Sequence, residues 1–370
     1  MGVRLAVIAD DLTGALDTSA PFAARGLSVR VALGIEALKT ALQGNPEIVA
    51  VNTASRGLSP EAAAGRAAEA AEHILGHGRP AVVLKKIDSR LKGNIAVEAV
   101  AVAEIFGFAR AVAAPAVPDQ GRWTVEGAVI GRGVEHRIPV AALFDGAGLA
   151  VDVADAKHDR DLLDIAAGTD WSQTLAIGGR GLGQAFAAML EAERRPSSAP
   201  MPRSGAVVFA FGSRDPITEA QIAHLKAARA DLMVVTAPDG RLPRIDNPRL
   251  PLLLHCTGGM TARPDEVAAQ FAEGVVRLVR QVRPDLLALG GGDTALAVCT
   301  ALGAGVAVPL GEAAPGLPWF ELTGETGVVL PCVVKSGGFG RVDVLSGLLA
   351  ERSADIAGTL RSREREWTGR

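Results

Sequence analysis

The stretch Leu286-Leu287-Ala288-Leu289-Gly290-Gly291-Gly292-Asp293-Thr294-Ala295 decides how this chain is read. Four apolar residues end a buried strand, and Thr294 to Leu302, rich in Ala, Leu and Val, reads as the helix that follows. Glycines between a strand and a helix leave backbone N–H groups free. With the positive end of the helix dipole, those donors suit phosphate oxygens. Asp293 is out of place beside a polyphosphate unless it holds Mg2+ or takes a proton from an attacking hydroxyl. The combination points to phosphoryl transfer, although the same residues also make a plain strand–helix turn with Asp293 or Thr294 as N-cap.

Working outward, a second glycine cluster, Lys335-Ser336-Gly337-Gly338-Phe339-Gly340, follows another strand-like run, Gly327 to Val334, and precedes a helical run, Val342 to Leu349. Lys335 is a candidate to neutralise phosphate charge, and Phe339 packs either on a purine or on the core.

Composition narrows the class. The chain has 370 residues, 48% of them hydrophobic, enough for two α/β domains with their own cores. A net charge of −3, no Tyr and only 4% aromatic residues give no footprint for nucleic acid or an anionic membrane, so a small-molecule partner is expected. No stretch has membrane-spanning length, and Met1-Gly2-Val3-Arg4 runs directly into a strand rather than a signal peptide, so a cytoplasmic protein is expected. Cys256, Cys299 and Cys332 lie far apart in apolar surroundings and read as buried thiols. Of the histidines only His73 and His77 have helical spacing, on a surface helix, so no zinc site is expected and metal ligands stay unassigned.

Strand-like runs recur at Leu5 to Ala9, Val29 to Ala32, Ile48 to Val51, Ala81 to Lys85 and Ala111 to Ala113, with helix-like segments such as Ala62 to Leu75 and Ile95 to Phe106 between them. Gly121 to Ala142 breaks into short Gly-punctuated runs, a β-hairpin excursion. Its Trp123 to Val140 is a candidate either for homodimer contacts or for a substrate lid. Helical character resumes at Asp161 to Ala166 and Gly181 to Arg194. The Pro- and Ser-rich stretch 195–204 reads as a linker, and a second α/β series follows it. The expected architecture is α/β with two domains, each a mostly parallel sheet flanked by helices, and an active site in the interdomain cleft. The N-terminal domain covers residues 1–195, the linker 196–204 and the C-terminal domain 205–370, whose charged tail from Glu351 is expected to fray.

Two blocks in the N-terminal half sit at strand ends, where ligands bind in open α/β sheets. Asp10 and Asp11, in Ala9-Asp10-Asp11-Leu12-Thr13-Gly14-Ala15, suit substrate hydroxyls, or else one caps a helix. Lys85-Lys86-Ile87-Asp88-Ser89-Arg90-Leu91-Lys92-Gly93-Asn94 packs four cations, a carboxylate and a hydroxyl into ten residues, a density that fits an anionic, hydroxylated ligand or a solvated basic loop. Arg56 and Arg122 are candidate carboxylate clamps by bidentate geometry. Together Asp10, Asp11, Arg56, Lys86, Asp88 and Arg122 outline one pocket.

With these blocks in hand, the chain resembles the four-carbon acid sugar kinase family. The matching elements run in order over nearly the whole length: Ala9 to Ala15, Thr53-Ala54-Ser55-Arg56, Lys86-Ile87-Asp88-Ser89, Gly93-Asn94, Gly121-Arg122, Gly212-Ser213, Thr218 with Gln221, Gly291-Gly292-Asp293-Thr294 and Lys335 to Gly340. The resemblance implies ATP-dependent, Mg2+-assisted phosphorylation of a small sugar acid such as threonate, erythronate or 3-oxo-tetronate. It implies an acid-sugar site from Asp10, Asp11, Ser55, Arg56, Lys86, Asp88, Ser89 and Arg122. On the nucleotide side it implies Ser213, Gly291, Gly292, Thr294, Lys335, Gly337, Gly338 and Gly340. Asp293 is the expected base for the attacking hydroxyl, with Asp88 as competitor. The chain departs from the family's usual Asp-Ser-Thr-Leu-Arg-Gly-Asn by carrying Arg90 and Lys92, and from a frequent Asp by carrying Asn52; because Lys offers a point charge where Arg offers a planar fork, an acid other than the common tetronates is open as the substrate. Two alternatives stand beside this reading. One is a nucleotide-dependent oxidoreductase, disfavoured because no Gly-x-Gly-x-x-Gly follows the first strand. The other is a sugar-acid binding protein that closes on its ligand without chemistry.

Overall fold

The computed structural model describes residues 2–190, 201, 203–259, 263–323 and 329–350. In the N-terminal half, β1 (Leu5–Ala9), α1 (Leu12–Ala23), β2 (Val29–Ala32), α2 (Leu38–Gln43), β3 (Ile48–Asn52), α3 (Pro60–His77), β4 (Val82–Lys86), α4 (Ile95–Phe106) and β5 (Arg110–Ala114) alternate as the periodicity requires. A small antiparallel sheet follows, β6 (Arg122–Val125), β7 (Ala128–Gly131) and β8 (Ile138–Pro139), with Glu126 and Gly127 both at positive φ in its tight turn. It is the expected excursion. Then come β9 (Ala150–Val153), α5 (Asp159–Gly168), β10 (Thr174–Gly178) and α6 (Arg180–Leu190).

The C-terminal half runs β11 (Val207–Phe211), α7 (Pro216–Ala228), β12 (Met233–Pro238), β13 (Leu252–Thr257), α8 (Pro264–Val282), β14 (Leu286–Gly290), α9 (Gly292–Ala301), β15 (Val306–Ala314), β16 (Leu317–Thr323) and β17 (Val329–Lys335). The two expected parallel strand sets are present, β2-β3-β1-β4-β10-β5-β9 and β12-β13-β11-β14-β17, but they are not separate sheets. An antiparallel meander through β16 and β15 carries the second set onto β2, where Val306 pairs with Ala32 and Ala307 with Val31. One sheet of 14 strands results, its two parallel sets running antiparallel to each other. Register shifts at Pro309/Gly311 and Glu312/Ala314 mark where β15 bends.

Alternation along the strands feeds opposite faces. Leu5, Val7 and Ala9 of β1 join a core that includes α1, α6, α8 and α9, while Ala6 and Ile8 face α2, α3 and α4. In the second half Val208 and Ala210 of β11 extend the first core, and Val207, Phe209 and Phe211 pack with Ile222 and Leu225 of α7. Helix α1 is buried along all twelve residues and touches α9, β15 and β16 as well as its own half, so it is the hub on which the halves meet.

Cys256, Cys299 and Cys332 are buried and unpaired, His73 and His77 are exposed on α3, and no helix among the described residues is long and apolar enough to cross a membrane. The expected helix over Val342 to Leu349 is absent. That segment turns irregularly and makes a single 3-10 turn at Ser346–Leu348, because β-branched Val342 and Val344 with Ser346-Gly347 form a poor helical run. Of the expected linker, residues 196–200 and 202 lie outside the described residues, as does the tail from Glu351; Ser204 is pinned by its hydroxyl, which donates to Asp285 at 2.6 Å.

Candidate active site

The acid side is built at the ends of β1, β3 and β4. Asp11 caps α1, its Oδ1 accepting from the Gly14 N–H at 2.8 Å and its Oδ2 from the Thr13 hydroxyl at 2.6 Å. Arg56 lies across both carboxylates. Its Nε and Nη2 donate to the two oxygens of Asp10 at 2.7 and 2.9 Å, its Nη1 donates to Asp11 at 2.8 Å, and Nη1 is 3.8 Å from Asp88. The expected bidentate clamp therefore exists, but it closes on the protein's own Asp10. This is a correction to Arg56 as a free ligand for substrate carboxylate. Burial alone would raise the Asp10 pKa; the Arg56 hydrogen bond and the charges of Lys85, Arg56 and Lys86 outweigh it and hold the carboxyl below its ordinary range. Gly93 (φ +93°) lets the next loop close over this pair, since a Cβ there would lie 3.0 Å from Asp10 Oδ2.

Ser55, expected to face substrate, is turned inward. Its buried hydroxyl donates to Glu98, which is itself paired with buried Lys85 at 2.7 Å, and it shares a hydrogen bond with Thr53. A hydroxyl next to an arginine looks like a ligand in sequence; the unseen partner was a glutamate 43 residues away.

Lys86, Asp88, Ser89 and Arg122 do converge, in a recess also lined by Asp11, Gly14, Asp17, Arg56, Arg90 and Arg180 and closed on its far side by Ser336, Gly338 and Phe339. Lys86 reaches in from the end of β4 and donates to the Ile87 carbonyl at 2.9 Å; Gly14 makes room for it, since a Cβ would stand 2.9 Å from Lys86 Nζ. Asp88 Oδ1 accepts from the Arg90 N–H at 2.9 Å. Arg122 is 3% exposed, donates from Nε to the Arg132 carbonyl and from Nη1 to Ser89, and lies over the Phe339 ring at 5.6 Å. Burial, with Arg90 and Arg132 nearby, lowers its pKa against the pull of Asp88 and Asp215. Cations thus gather here, and among the described residues no carboxylate pairs with Arg122, which suits an anionic ligand.

The nucleotide side forms at the ends of β11, β14 and β17. Gly291 (φ +99°) is the N-cap of α9 and carries no side-chain cap, so the helix presents bare N–H groups. Gly337 passes so close to α7 that a Cβ would stand 2.9 Å from both Asp215 Cβ and Ser213 Oγ. Lys335, expected to meet phosphate, instead spends its protons on the loop, donating to Thr218 Oγ1 at 2.9 Å and to the carbonyls of Ser336 and Gly337 at 3.0 and 2.8 Å. Burial pushes its ammonium down to about 8, against the attraction of Asp215. Asp293 is exposed on the first turn of α9, and Thr294 beside it is buried against Gly212. Asp293 borders two recesses. One, about 250 Å³, is walled by Cys256, Val267, Ala268 and Phe271 with Arg214 and Thr294; the other joins it to Asp10, Asp11 and Gly292. It does not line the recess that holds Asp88, so the two candidate bases sit in different places.

The two sides touch. A Cβ on Gly292 would lie 3.5 Å from Asp11 Oδ2, so the N-termini of α1 and α9 meet directly. Arg180 ties the halves together nearby: 2% exposed, it donates to Asp119 at 3.0 and 3.1 Å and to both oxygens of Glu312 on β15 at 2.7 and 3.2 Å. Neither Arg180 nor Asp17 stood out in the sequence, the first lying in a loose glycine run and the second among the small residues of α1.

Comparison with known proteins divides the chain in the same sense. Residues 5–143 match the model of a sugar-binding N-terminal domain, and residues 254–345 that of a nucleotide-binding C-terminal domain. The chain is 30% identical to a D-threonate kinase of Bordetella bronchiseptica over 93% of its own length and 96% of the relative's. It is 26% identical to a 3-oxo-tetronate kinase of Burkholderia multivorans, covering 92% and 95%. Among solved structures, a Haemophilus influenzae protein superposes with a TM-score of 0.68 at 19% identity, covering 93% of this chain and 98% of that one, a likeness of fold.

Proposed function

Because the chain belongs to the four-carbon acid sugar kinase family, we propose that it transfers the terminal phosphoryl group of ATP to a hydroxyl of a small sugar acid of the tetronate class. The observation that carries this reading is the direct meeting of an uncapped, glycine-started helix with the carboxylate-capped helix of the acid side, Gly292 against Asp11. A phosphotransferase needs its donor and acceptor sides brought together, and this junction joins them.

In this reading the acid occupies the recess of Lys86, Asp88, Ser89 and Arg122, with its carboxylate toward Arg122 and its hydroxyls toward the carboxylates. Asp10 and Arg56 act as a rigid strut that orients Asp11 and Asp88. The ATP polyphosphate crosses Gly291, Gly292, Ser213, Gly337, Gly338 and Gly340, with Lys335 shaping the loop from beneath, and its nucleoside enters the apolar recess at Phe271. Asp293, a hard oxygen donor with no partner among the described residues, fits Mg2+, which would neutralise polyphosphate charge at that end. The division into an acid-sugar part up to residue 195 and a nucleotide part from residue 205 is supported by β10 lying in the first strand set and β11 in the second. The β6–β8 excursion, whose Arg122 lines the recess and is held there by the Arg132 carbonyl, is read as a wall of the site rather than a dimer surface. The relatives named D-threonate kinase and 3-oxo-tetronate kinase set the first substrates to try. The test is coupled ADP release with ATP, Mg2+ and a panel of threonate, erythronate, 3-oxo-tetronates and longer aldonates: acid-dependent turnover is expected, and silence across the panel with ATP bound contradicts the reading.

A further inference from the structure

Among the described residues, Asp215 borders the cleft near Gly337 and Gly338 but gives Oδ1 to the Ile217 N–H as the cap of α7 and does not line the recess of Lys86 and Arg122; five further carboxylates differ in which of their oxygens are still open. Asp10 gives both oxygens to Arg56. Asp11 is spent on Gly14, Thr13 and Arg56. Asp88 gives Oδ1 to its own loop and turns Oδ2 toward Arg56. Asp293 is open but exposed, and it lies outside the recess that holds Lys86 and Arg122. Asp17 is the fifth. It is 5% exposed, lies three residues beyond Gly14 on the same face of α1, and lines the recess together with Lys86, Asp88, Arg122, Ser336 and Gly338. The Thr18 hydroxyl donates to its Oδ1 at 3.0 Å, and no hydrogen bond among the described residues engages Oδ2.

Resting on the kinase reading above, we propose that Asp17 is the catalytic residue that accepts the proton of the attacking hydroxyl. The acid's hydroxyl oxygen forms a bond to the γ-phosphorus as its proton passes to Asp17 Oδ2. The bond from the γ-phosphorus to the β,γ-bridging oxygen breaks, and its electron pair leaves on ADP. Asp17 then returns the proton to solvent as the cleft opens. Placement supports the role, because Asp17 shares one recess with the cations of the acid side and with the glycine loop of the nucleotide side. Its surroundings support it as well. Burial raises the carboxyl to about 6, opposed by Lys86 from the end of β4 and Arg180 from the start of α6, reinforced by Asp11 from the cap of α1, and opposed again by the Thr18 hydroxyl. Asp119 and Glu312 face Arg180 and temper its charge. A carboxyl tuned toward neutrality is a better proton acceptor than an ordinary one and is still ionised at pH 7.

The experiment is the pH dependence of kcat from about pH 5 to 8.5 for the whole protein, with ATP, Mg2+ and whichever acid turns over, in wild type, Asp17→Asn, Asp88→Asn and Asp293→Asn. The wild type is expected to lose activity below an apparent pKa near 6. Asp17→Asn is expected to lose at least a hundredfold in kcat together with that acid limb, while its ATP Kd, read by calorimetry, stays within about threefold. Asp88→Asn and Asp293→Asn retain the limb whatever their rates. A wild-type profile flat over this range overturns the proposal without any variant, and so does an Asp17→Asn enzyme within threefold of wild type or one that keeps the limb. Absence of acid-dependent turnover in the wild type is a different result: it overturns the kinase reading itself.

Discussion

Asp17→Asn has a consequence for stability that is independent of any substrate. The carboxyl is buried and its folded pKa is raised from 3.8 to about 6, so between those values the folded chain binds more protons than the unfolded one. Stability contributed by this group is greatest below about pH 4 and falls as pH rises toward 6, the reverse of a salt-bridged carboxylate. At 1.36 kcal/mol per pKa unit, the ionised form costs the fold about 3 kcal/mol above pH 6, and about 2 kcal/mol of that develops between pH 4.5 and 8. Asparagine keeps the size and the Thr18 contact without the charge. Urea unfolding of wild type and Asp17→Asn at pH 4.5 and 8 should therefore show the variant gaining about 2 kcal/mol relative to wild type at the higher pH, whatever the constant offset between them. A difference that stays level, or moves against the variant as pH rises, refutes the reasoning, because it means that Lys86 and Arg180 have already neutralised the cost of burial. The expected pairing, a more stable protein with less activity, is the mark of a group kept for chemistry rather than for folding.

Three further outcomes are expected. Gly337→Ala should weaken ATP binding about tenfold, roughly 1.4 kcal/mol by calorimetry, and lower the thermal midpoint of the free protein, because the new Cβ would meet Asp215 and Ser213 at 2.9 Å and displace a loop whose Gly337 carbonyl accepts from Lys335 and Thr218; unchanged affinity in the folded variant would show that the loop does not hold polyphosphate. Arg180→Met leaves Asp119 and Glu312 without their shared cation at a buried junction and should cost about 3–5 kcal/mol in urea unfolding, Glu312→Gln costing less because Arg180 keeps Asp119. A loss below about 1 kcal/mol for Arg180→Met removes Arg180 as the tie between the halves. For Lys335, whose folded pKa is depressed to about 8 from 10.5, the fold binds fewer protons than the unfolded chain between those values, so wild-type stability should gain with pH from 8 to 10 relative to Lys335→Met; parallel curves would show that the ammonium is not desolvated.

Much of the fold was legible because its signals are local. Val29–Ala32, Ile95–Phe106 and Pro264–Val282 form the elements that their apolar periodicity indicates. What joins the halves was not legible. In β15 and β16 the pattern is broken by Pro309, Gly311 and Pro318, residues that weaken strand propensity yet here sit at bulges and edges of an antiparallel meander. In the site, backbone features were readable, since a glycine at Gly291 or Gly337 answers to a local need. Side-chain roles were less so, because they depend on partners far away in sequence: Ser55 is satisfied by Glu98, Arg56 by Asp10 and Lys335 by Thr218. Asp17 was hidden for the complementary reason. It lies within a fully buried helix, where composition cannot tell which face lines a cavity.

The central claim is that one cleft moves a phosphoryl group from nucleotide to acid. The most direct measurement is mass spectrometry, with phosphorus NMR, of the acid recovered after incubation with the protein, ATP and Mg2+. The account expects a phosphate monoester of the acid, formed in step with ADP and only when both substrates are present. Recovery of unmodified acid while ATP is cleaved to ADP and free phosphate would contradict it, since the meeting of Gly292 and Asp11 would then place water, not the acid's hydroxyl, before the nucleotide.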